Sequence, residues 1–223
     1  FLFPFMDEFP NYLHFDEALS AEHKKRIMTF YKSMLQRHLY ATGKKHFVSK
    51  NPAFSAKIET LAEFFPDARI LYLARNPLDM LPSTVSWINY ARNQFTGPNE
   101  GYLYTEEILE MTGHWYRHPL QYLDAHPSPR HLIVNYEDLI QRPEAVIRKF
   151  YEQFGYPDQP GLPVIIDQAV KETMTFNSDH SYSYKKMGFT REGIVERYKD
   201  IFERFNFETR EEAVHVERME LER

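Results

Sequence analysis

Apolar and polar positions divide the chain into three short apolar runs set among stretches with helical periodicity. Two runs are continuous and rich in Ile, Leu, Val and Tyr: residues 68–74 (Ala-Arg-Ile-Leu-Tyr-Leu-Ala) and 131–136 (His-Leu-Ile-Val-Asn-Tyr). The third, residues 46–49 (His-Phe-Val-Ser), is only moderately apolar. Near-continuous apolar character, rather than alternation, suits a parallel strand covered on both faces. The stretches between repeat with a period near 3.6. Residues 21–40 place Ile27, Phe30, Tyr31, Met34, Leu35 and Leu39 on one side. Further helices are predicted over 55–65, 77–91, 105–125, 143–154, 163–173 and 191–205, with a charged helix after Thr209. Phe65-Pro66-Asp67, His126-Pro127-Ser128-Pro129 and Gly155-Tyr156-Pro157 punctuate these elements. Strands alternating with helices predict an α/β domain with a mainly parallel sheet. No repeat, low-complexity tract or composition break marks a second domain, and residues 157–163 read as a loop.

Composition narrows the function classes. A chain of 223 residues with 43% hydrophobic and 26% charged residues suits one large globular domain. Lys and Arg number 27 against 32 Asp and Glu, a formal charge of −5. That sign argues against coating nucleic acid but leaves room for a local basic pocket holding a small anion. The absence of cysteine excludes disulfide scaffolds, cysteine nucleophiles and Cys-ligated zinc. No apolar run approaches the roughly 18 residues of a membrane span. Residues 1–13 read as mid-domain sequence rather than a signal peptide, so the chain is expected to be a fragment. Its compartment is left open, the absence of cysteine being compatible with the cytoplasm.

The segment richest in chemistry runs over residues 71–83. A buried strand ends at Arg75, Asn76 suits an N-cap, and Pro77 suits the first helical turn. Open α/β sheets bind ligands at the C-terminal edge of such strands. Arg75 offers a planar set of donors matched to phosphate. Pro82 removes a helical hydrogen bond and frees the Leu78 carbonyl, so the helix is expected to bend just before Ser83 and turn its hydroxyl toward the same anion. On physics alone, an Arg75–Asp79 surface pair with Ser83 as an ordinary helix position is an equal alternative.

The spacing Arg75-Asn76-Pro77-Leu78-Asp79, with Ser83 eight residues after the Arg, resembles the 3′-phosphate-binding motif of sulfotransferases that use 3′-phosphoadenosine 5′-phosphosulfate (PAPS). Other segments extend the resemblance in the same order. Phe47-Val48-Ser49-Lys50-Asn51-Pro52-Ala53 resembles the family's strand-end Lys-x-Pro segment, and Phe64-Phe65-Pro66-Asp67-Ala68-Arg69-Ile70 its approach to the Arg strand. Asn135-Tyr136-Glu137-Asp138-Leu139 with Arg142-Pro143-Glu144 is similar to its Tyr-Glu-Asp-Leu segment. His180-Ser181-Tyr182-Ser183 with Gly188-Phe189-Thr190 resembles a stretch near the C-terminus of one branch. The family's Gly-Thr-Thr-like loop for the 5′-phosphosulfate has no counterpart before Arg75; in relatives it lies N-terminal to the segment where this chain begins.

The resemblance implies an α/β fold, a P-loop-NTPase-like parallel sheet with helices on both faces, incomplete at the N-terminus. It implies one sulfotransferase domain over 1–223, with an acceptor-side helical region at 1–44, a core at 45–205 and a C-terminal helix at 206–223. Its expected activity is sulfuryl transfer from PAPS to a hydroxyl or amine of a small-molecule or glycan acceptor, with no metal required. Arg75 and Ser83 fall on the phosphate-binding positions, and Tyr136 on that of an adenine-side tyrosine, the alternative being packing on the helix at 143–154. Lys186, in Lys185-Lys186-Met187-Gly188, matches loosely a basic loop over the 3′-phosphate, a solvated charge pair being the alternative. Lys50 is the candidate for direct chemistry, stabilising charge on the leaving phosphate, although it also reads as a solvated residue before a turn. Relatives place a catalytic His or a Lys there; with Lys50 in place of His the base is left unidentified, His46, His114 and His118 being candidates. His114 and His118 sit four apart on a helix, a metal-compatible spacing, with no third ligand expected nearby. The aromatic residues from Phe1 to Phe15 suit either core packing or an acceptor pocket. A nucleotide or sugar kinase would want carboxylates for Mg²⁺ and gives the Arg-to-Ser spacing no role. A non-catalytic nucleotide-binding module is the other alternative.

Overall fold

The computed structural model describes residues 10–97, 101–157, 160–175 and 183–209. In chain order come α1 (Pro10–Leu13), α2 (Phe15–Ala18), α3 (Ala21–Thr42), a 3-10 turn (Pro52–Lys57), α4 (Ile58–Phe64) and β1 (Ile70–Ala74). Then follow α5 (Pro77–Thr96), α6 (Thr105–Ala125), β2 (His131–Asn135), α7 (Tyr136–Gln141) and α8 (Pro143–Gln153). The last are α9 (Leu162–Thr175), a second 3-10 turn (Lys185–Met187), α10 (Arg191–Arg197) and α11 (Lys199–Phe205). They form two compact units, Phe1–Ile70 with Glu110–His131, and Leu71–Leu109 with Leu132–Arg223. No helix of the described residues is long and apolar enough to cross a membrane.

The first unit is helical, and its longest element has well-defined ends. The Ser20 hydroxyl caps α3 by accepting from the His23 N–H at 3.3 Å. Gly43 stops the helix at φ 64°, where its N–H reaches back to the Leu39 and Tyr40 carbonyls. This left-handed position favours glycine, and it places the stop at Thr42. Met28, with Ile27 and Tyr31 beside it, faces a core of Phe15 and Ala56 that also receives Leu61, Phe64, Phe65 and Trp115. Phe30 and Met34, expected on that face, are 67% and 45% exposed. They stand about 160° and about 120° around the helix from the buried Met28, which turns them away from the core. Phe15 is buried in this core, as the packing alternative expects; Phe1–Phe9 lie outside the described residues.

In the second unit β1 and β2 pair in parallel, as their apolar runs predict. The predicted strand at 46–49 does not form. Those residues are irregular and exposed, Val48 to 92%, and no neighbouring backbone among the described residues receives their hydrogen bonds. Coverage of the sheet also departs from expectation. Leu132 and Val134 of β2 are buried with Phe154, against Leu139, Val146, Phe150 and Tyr156. Leu71 and Leu73 of β1 remain 45% and 38% exposed. Successive side chains on a strand point to opposite faces, so β1 alternates as soon as one face lacks an apolar partner. The chain is therefore a mostly helical α/β protein with a small two-stranded parallel sheet. The predicted single helix at 191–205 is broken at Tyr198, whose buried hydroxyl donates to the Leu109 carbonyl at 2.6 Å. The helix predicted after Thr209 lies outside the described residues.

Candidate functional site

Parallel pairing brings the C-terminal ends of β1 and β2 to one edge, and two of the expected site residues meet there. Ala74, fully buried, ends β1, and Asn76 caps α5. The Asn76 Oδ1 accepts from the Leu78 N–H at 2.9 Å, while its amide donates to the Glu208 carbonyl at 3.0 Å. With Pro77 at the first helical position, Arg75 is fixed between a buried strand end and a buried cap. Its guanidinium carbon lies 5.2 Å from the ring centre of Tyr136, the residue directly after β2. This is a cation–π contact. No Arg75–Asp79 ion pair forms among the described residues. Beside Tyr136, Asn135 accepts from the Glu137 N–H at 2.9 Å, and Arg142 pairs with Asp138.

Ser83 is half-buried on α5, which continues through Pro82 to Thr96. The Leu78 carbonyl freed by Pro82 accepts a hydrogen bond from the Tyr184 hydroxyl at 2.9 Å. That bond fastens the Lys185–Met187 turn to the first turn of the helix carrying Ser83. A second fastening comes from Thr105, whose hydroxyl donates to the Met187 carbonyl at 2.8 Å. Gly188 closes the turn at φ 85°, and Met187 anchors it with 1% exposure. Lys186 is thereby held exposed on a pinned turn. Its neighbour Lys185 lines a cavity of about 400 Å³ with Gly188, Phe189 and Arg197. His180, Ser181 and Tyr182 lie outside the described residues.

The first unit carries Lys50 and a buried polar cluster. Lys50 is exposed in the irregular stretch before Asn51, which caps the 3-10 turn by accepting from the Ala53 N–H at 3.0 Å. His46 is exposed in the same stretch. The cluster centres on Asp16, whose side chain is fully buried. Its carboxylate accepts from the Glu59 N–H at 2.9 Å, the Thr60 N–H at 3.1 Å and the Thr60 hydroxyl, so that a residue of α2 caps α4. His118 adds a further bond from Nε2 at 2.9 Å. Burial pushes the Asp16 carboxyl upward, but the bonds from His118, Thr60 and the backbone outweigh it and hold the group below its ordinary value.

His118 shows the reciprocal balance. Burial lowers it, while Asp16 and Glu17, the latter 3.3 Å from Nδ1, raise it overall. Both ring nitrogens therefore face carboxylates that favour the protonated ring, an unsuitable setting for a general base. His114 behaves differently. Burial, reinforced by His14 and His118 and opposed by Glu17, lowers it to about 4. The expectation of no third ligand beside this histidine pair is corrected: His14 and Glu17, at the start of and within α2, lie next to His114.

Sequence reasoning passed over Asp16 and Tyr184. The partners of Asp16 lie 43, 44 and 102 residues away, so no local spacing marks it. For Tyr184 a signal exists, because Pro82 requires some donor for the Leu78 carbonyl without specifying which.

Comparison with known proteins adds to this geometry. Residues 5–160 match the family model described as "Sulfotransferase family". The chain is 22% identical over 205 residues to omega-hydroxy-beta-dihydromenaquinone-9 sulfotransferase Stf3 of Mycobacterium bovis, covering 90% of this chain and 51% of that protein. It is 26% identical over 150 residues to 3-alpha-hydroxysteroid sulfotransferase of Cavia porcellus, covering 62% and 52%. The chain thus spans about half the length of the curated relatives it matches. The crystal structure of sulfotransferase STF9 from Mycobacterium avium superposes with a TM-score of 0.58 at 19% identity, covering 71% of this chain and 41% of that one, a likeness of fold. With 156 of the 223 residues inside the family match, the chain belongs to the sulfotransferase family.

Proposed function

We propose that the protein acts as a PAPS-dependent sulfotransferase on a hydroxyl or amine of a small-molecule or glycan acceptor. The observation that carries this reading is the meeting of Arg75 and Tyr136 at the ends of the paired strands, with Ser83 on the helix that Arg75 begins. Arg75 and Ser83 take the 3′-phosphate: the guanidinium supplies charge and planar donors, the hydroxyl a further donor. Tyr136 offers the adenine an aromatic face while holding the guanidinium against its ring. Lys186, on the turn fastened by Tyr184 and Thr105, adds positive charge over the same phosphate.

In the transfer, the acceptor oxygen or nitrogen attacks sulfur in line. A bond to sulfur forms as the bond from sulfur to the 5′-phosphate oxygen breaks, and adenosine 3′,5′-bisphosphate leaves. Negative charge grows on the bridging oxygen, and Lys50 supplies the compact positive charge that stabilises it. The acceptor's proton passes to a base, a role for which His118 is poorly placed because two carboxylates hold its own proton. The names of these two relatives both specify hydroxylated acceptors, which supports oxygen over nitrogen as the attacking atom.

A competition assay tests the class. PAPS and adenosine 3′,5′-bisphosphate are expected to displace a labelled nucleotide far better than ATP. Preference for ATP, with dependence on Mg²⁺, would point to a phosphotransferase instead.

A further inference from the structure

We infer that His14, Glu17 and His114 form a binding site for a divalent transition metal of the zinc class, apart from the proposed sulfuryl-transfer chemistry. One ligand atom from each residue lies within 4.8 Å of the other two. The Nε2 of His114 stands 3.7 Å from the Glu17 carboxylate, and the rings of His14 and His114 are 4.3 Å apart between centres. Two ligands about 2.0 Å from a tetrahedral zinc are separated by about 3.3 Å. The His114–Glu17 pair is therefore almost at ligating distance, and His14, within 4.8 Å of both, would close in to complete the set.

The local structure suits such a site. His14 is the N-cap position of α2 and Glu17 lies three residues on, a spacing that puts both on one side of the turn. His114 approaches from α6, so the metal would clamp α2 to α6 within the first unit. The His114 Nε2 is buried and has no hydrogen-bond partner among the described residues, an atom that a cation would satisfy. Glu17 is in turn oriented by His118, which Asp16 holds from its other nitrogen. A chain of outer partners behind a ligating carboxylate is a regular feature of metal sites. Two imidazoles and one carboxylate favour zinc over magnesium or calcium, which take oxygen ligands, and leave a fourth position for water.

The test uses the chain stripped with a chelator and titrated with Zn²⁺ by calorimetry, with Co²⁺ as a spectroscopic probe of geometry. The expected result is one tight Zn²⁺ per chain and the visible absorption of tetrahedral Co²⁺. Glu17→Gln and His14→Ala should each weaken Zn²⁺ binding at least about 10-fold, the size of effect seen even for lost outer partners of a metal site. His126→Ala, at a histidine outside the cluster, should leave it unchanged. Because Glu17 is about half exposed, Glu17→Gln is expected to remain folded, which circular dichroism checks. No stoichiometric uptake by the unmodified chain, or uptake undiminished in both variants, overturns the site.

Discussion

Asp16 and Arg75 are charged residues beside buried positions, yet their surroundings differ in kind. The Asp16 side chain is fully buried and meets donors from Glu59, Thr60 and His118, so the protein itself satisfies the carboxylate. Arg75 is half-buried at a strand end, with its guanidinium carbon 5.2 Å from the ring centre of Tyr136. A charge enclosed by internal donors serves the fold, whereas one set against an aromatic ring at the edge of a parallel sheet suits a ligand. Substitutions at the two places should separate stability from nucleotide binding.

The largest effect is expected at Asp16. Asp16→Ala deprives the His118 Nε2, the Thr60 hydroxyl and two helix N–H groups of their partner in a buried setting. It should cost about 3–5 kcal/mol of folding stability, the range for removing one partner of a buried pair. Urea unfolding followed by circular dichroism measures it, and a loss below about 1 kcal/mol would mean that the cluster is dispensable. At Lys50 the effect should fall on turnover. In the active enzyme, Lys50→Ala is expected to lower kcat at least about 100-fold while changing PAPS affinity by less than about 1 kcal/mol. Lys50→Arg should recover little, because a broad guanidinium cannot place a compact charge at the same point. Near-normal turnover in Lys50→Ala would make the residue an ordinary exposed lysine.

Smaller effects sharpen the contrast. Tyr184→Phe removes the donor to the Leu78 carbonyl and should cost about 0.5–1.5 kcal/mol in the same urea experiment. It should also weaken nucleotide binding if the Lys186 turn covers the phosphate; unchanged affinity would detach that turn from the site. The pH dependence of stability, measured with chelator present, should show three separate losses. Asp16 titrates below its ordinary 3.8 when folded, so its contribution is present above 3.8 and disappears as pH falls through the folded value. His118 is raised above 6.5, so its contribution is present below 6.5 and disappears as pH rises through the folded value. His114, lowered to about 4, resists protonation in the fold, so stability drops as pH falls from 6.5 toward 4. In Asp16→Asn the loss on the alkaline side should shrink; an unaltered profile would show that His118 does not depend on Asp16.

The ease of reading these regions from sequence follows from how each is assembled. β1, β2 and the start of α5 are local features: apolar runs and Asn76-Pro77 act over a few residues, and the observed elements begin and end close to the predicted limits. Arg75 stands directly after the first of those runs and Tyr136 closes the second, so their meeting follows from the pairing of the two strands. Residues 46–49 carry strand-like side chains, but a strand exists only where another backbone receives its hydrogen bonds. Asp16 joins α2 to α4 and α6 through partners up to 102 residues distant. Its neighbours Phe15 and Glu17 give no hint of burial at that one position. Tertiary contacts of this kind become visible only once the helices have been placed.

The most direct test of the phosphate site compares two nucleotides by calorimetry on the unmodified protein and on Arg75→Ala. Adenosine 3′,5′-bisphosphate should bind the unmodified protein more tightly than adenosine 5′-monophosphate, which lacks the 3′-phosphate. Arg75→Ala should weaken bisphosphate binding by about 1.5–3 kcal/mol, the contribution of a charged hydrogen bond, and leave the monophosphate nearly unaffected. Loss of both nucleotides to the same extent, or of neither, would contradict the assignment of Arg75 to the 3′-phosphate.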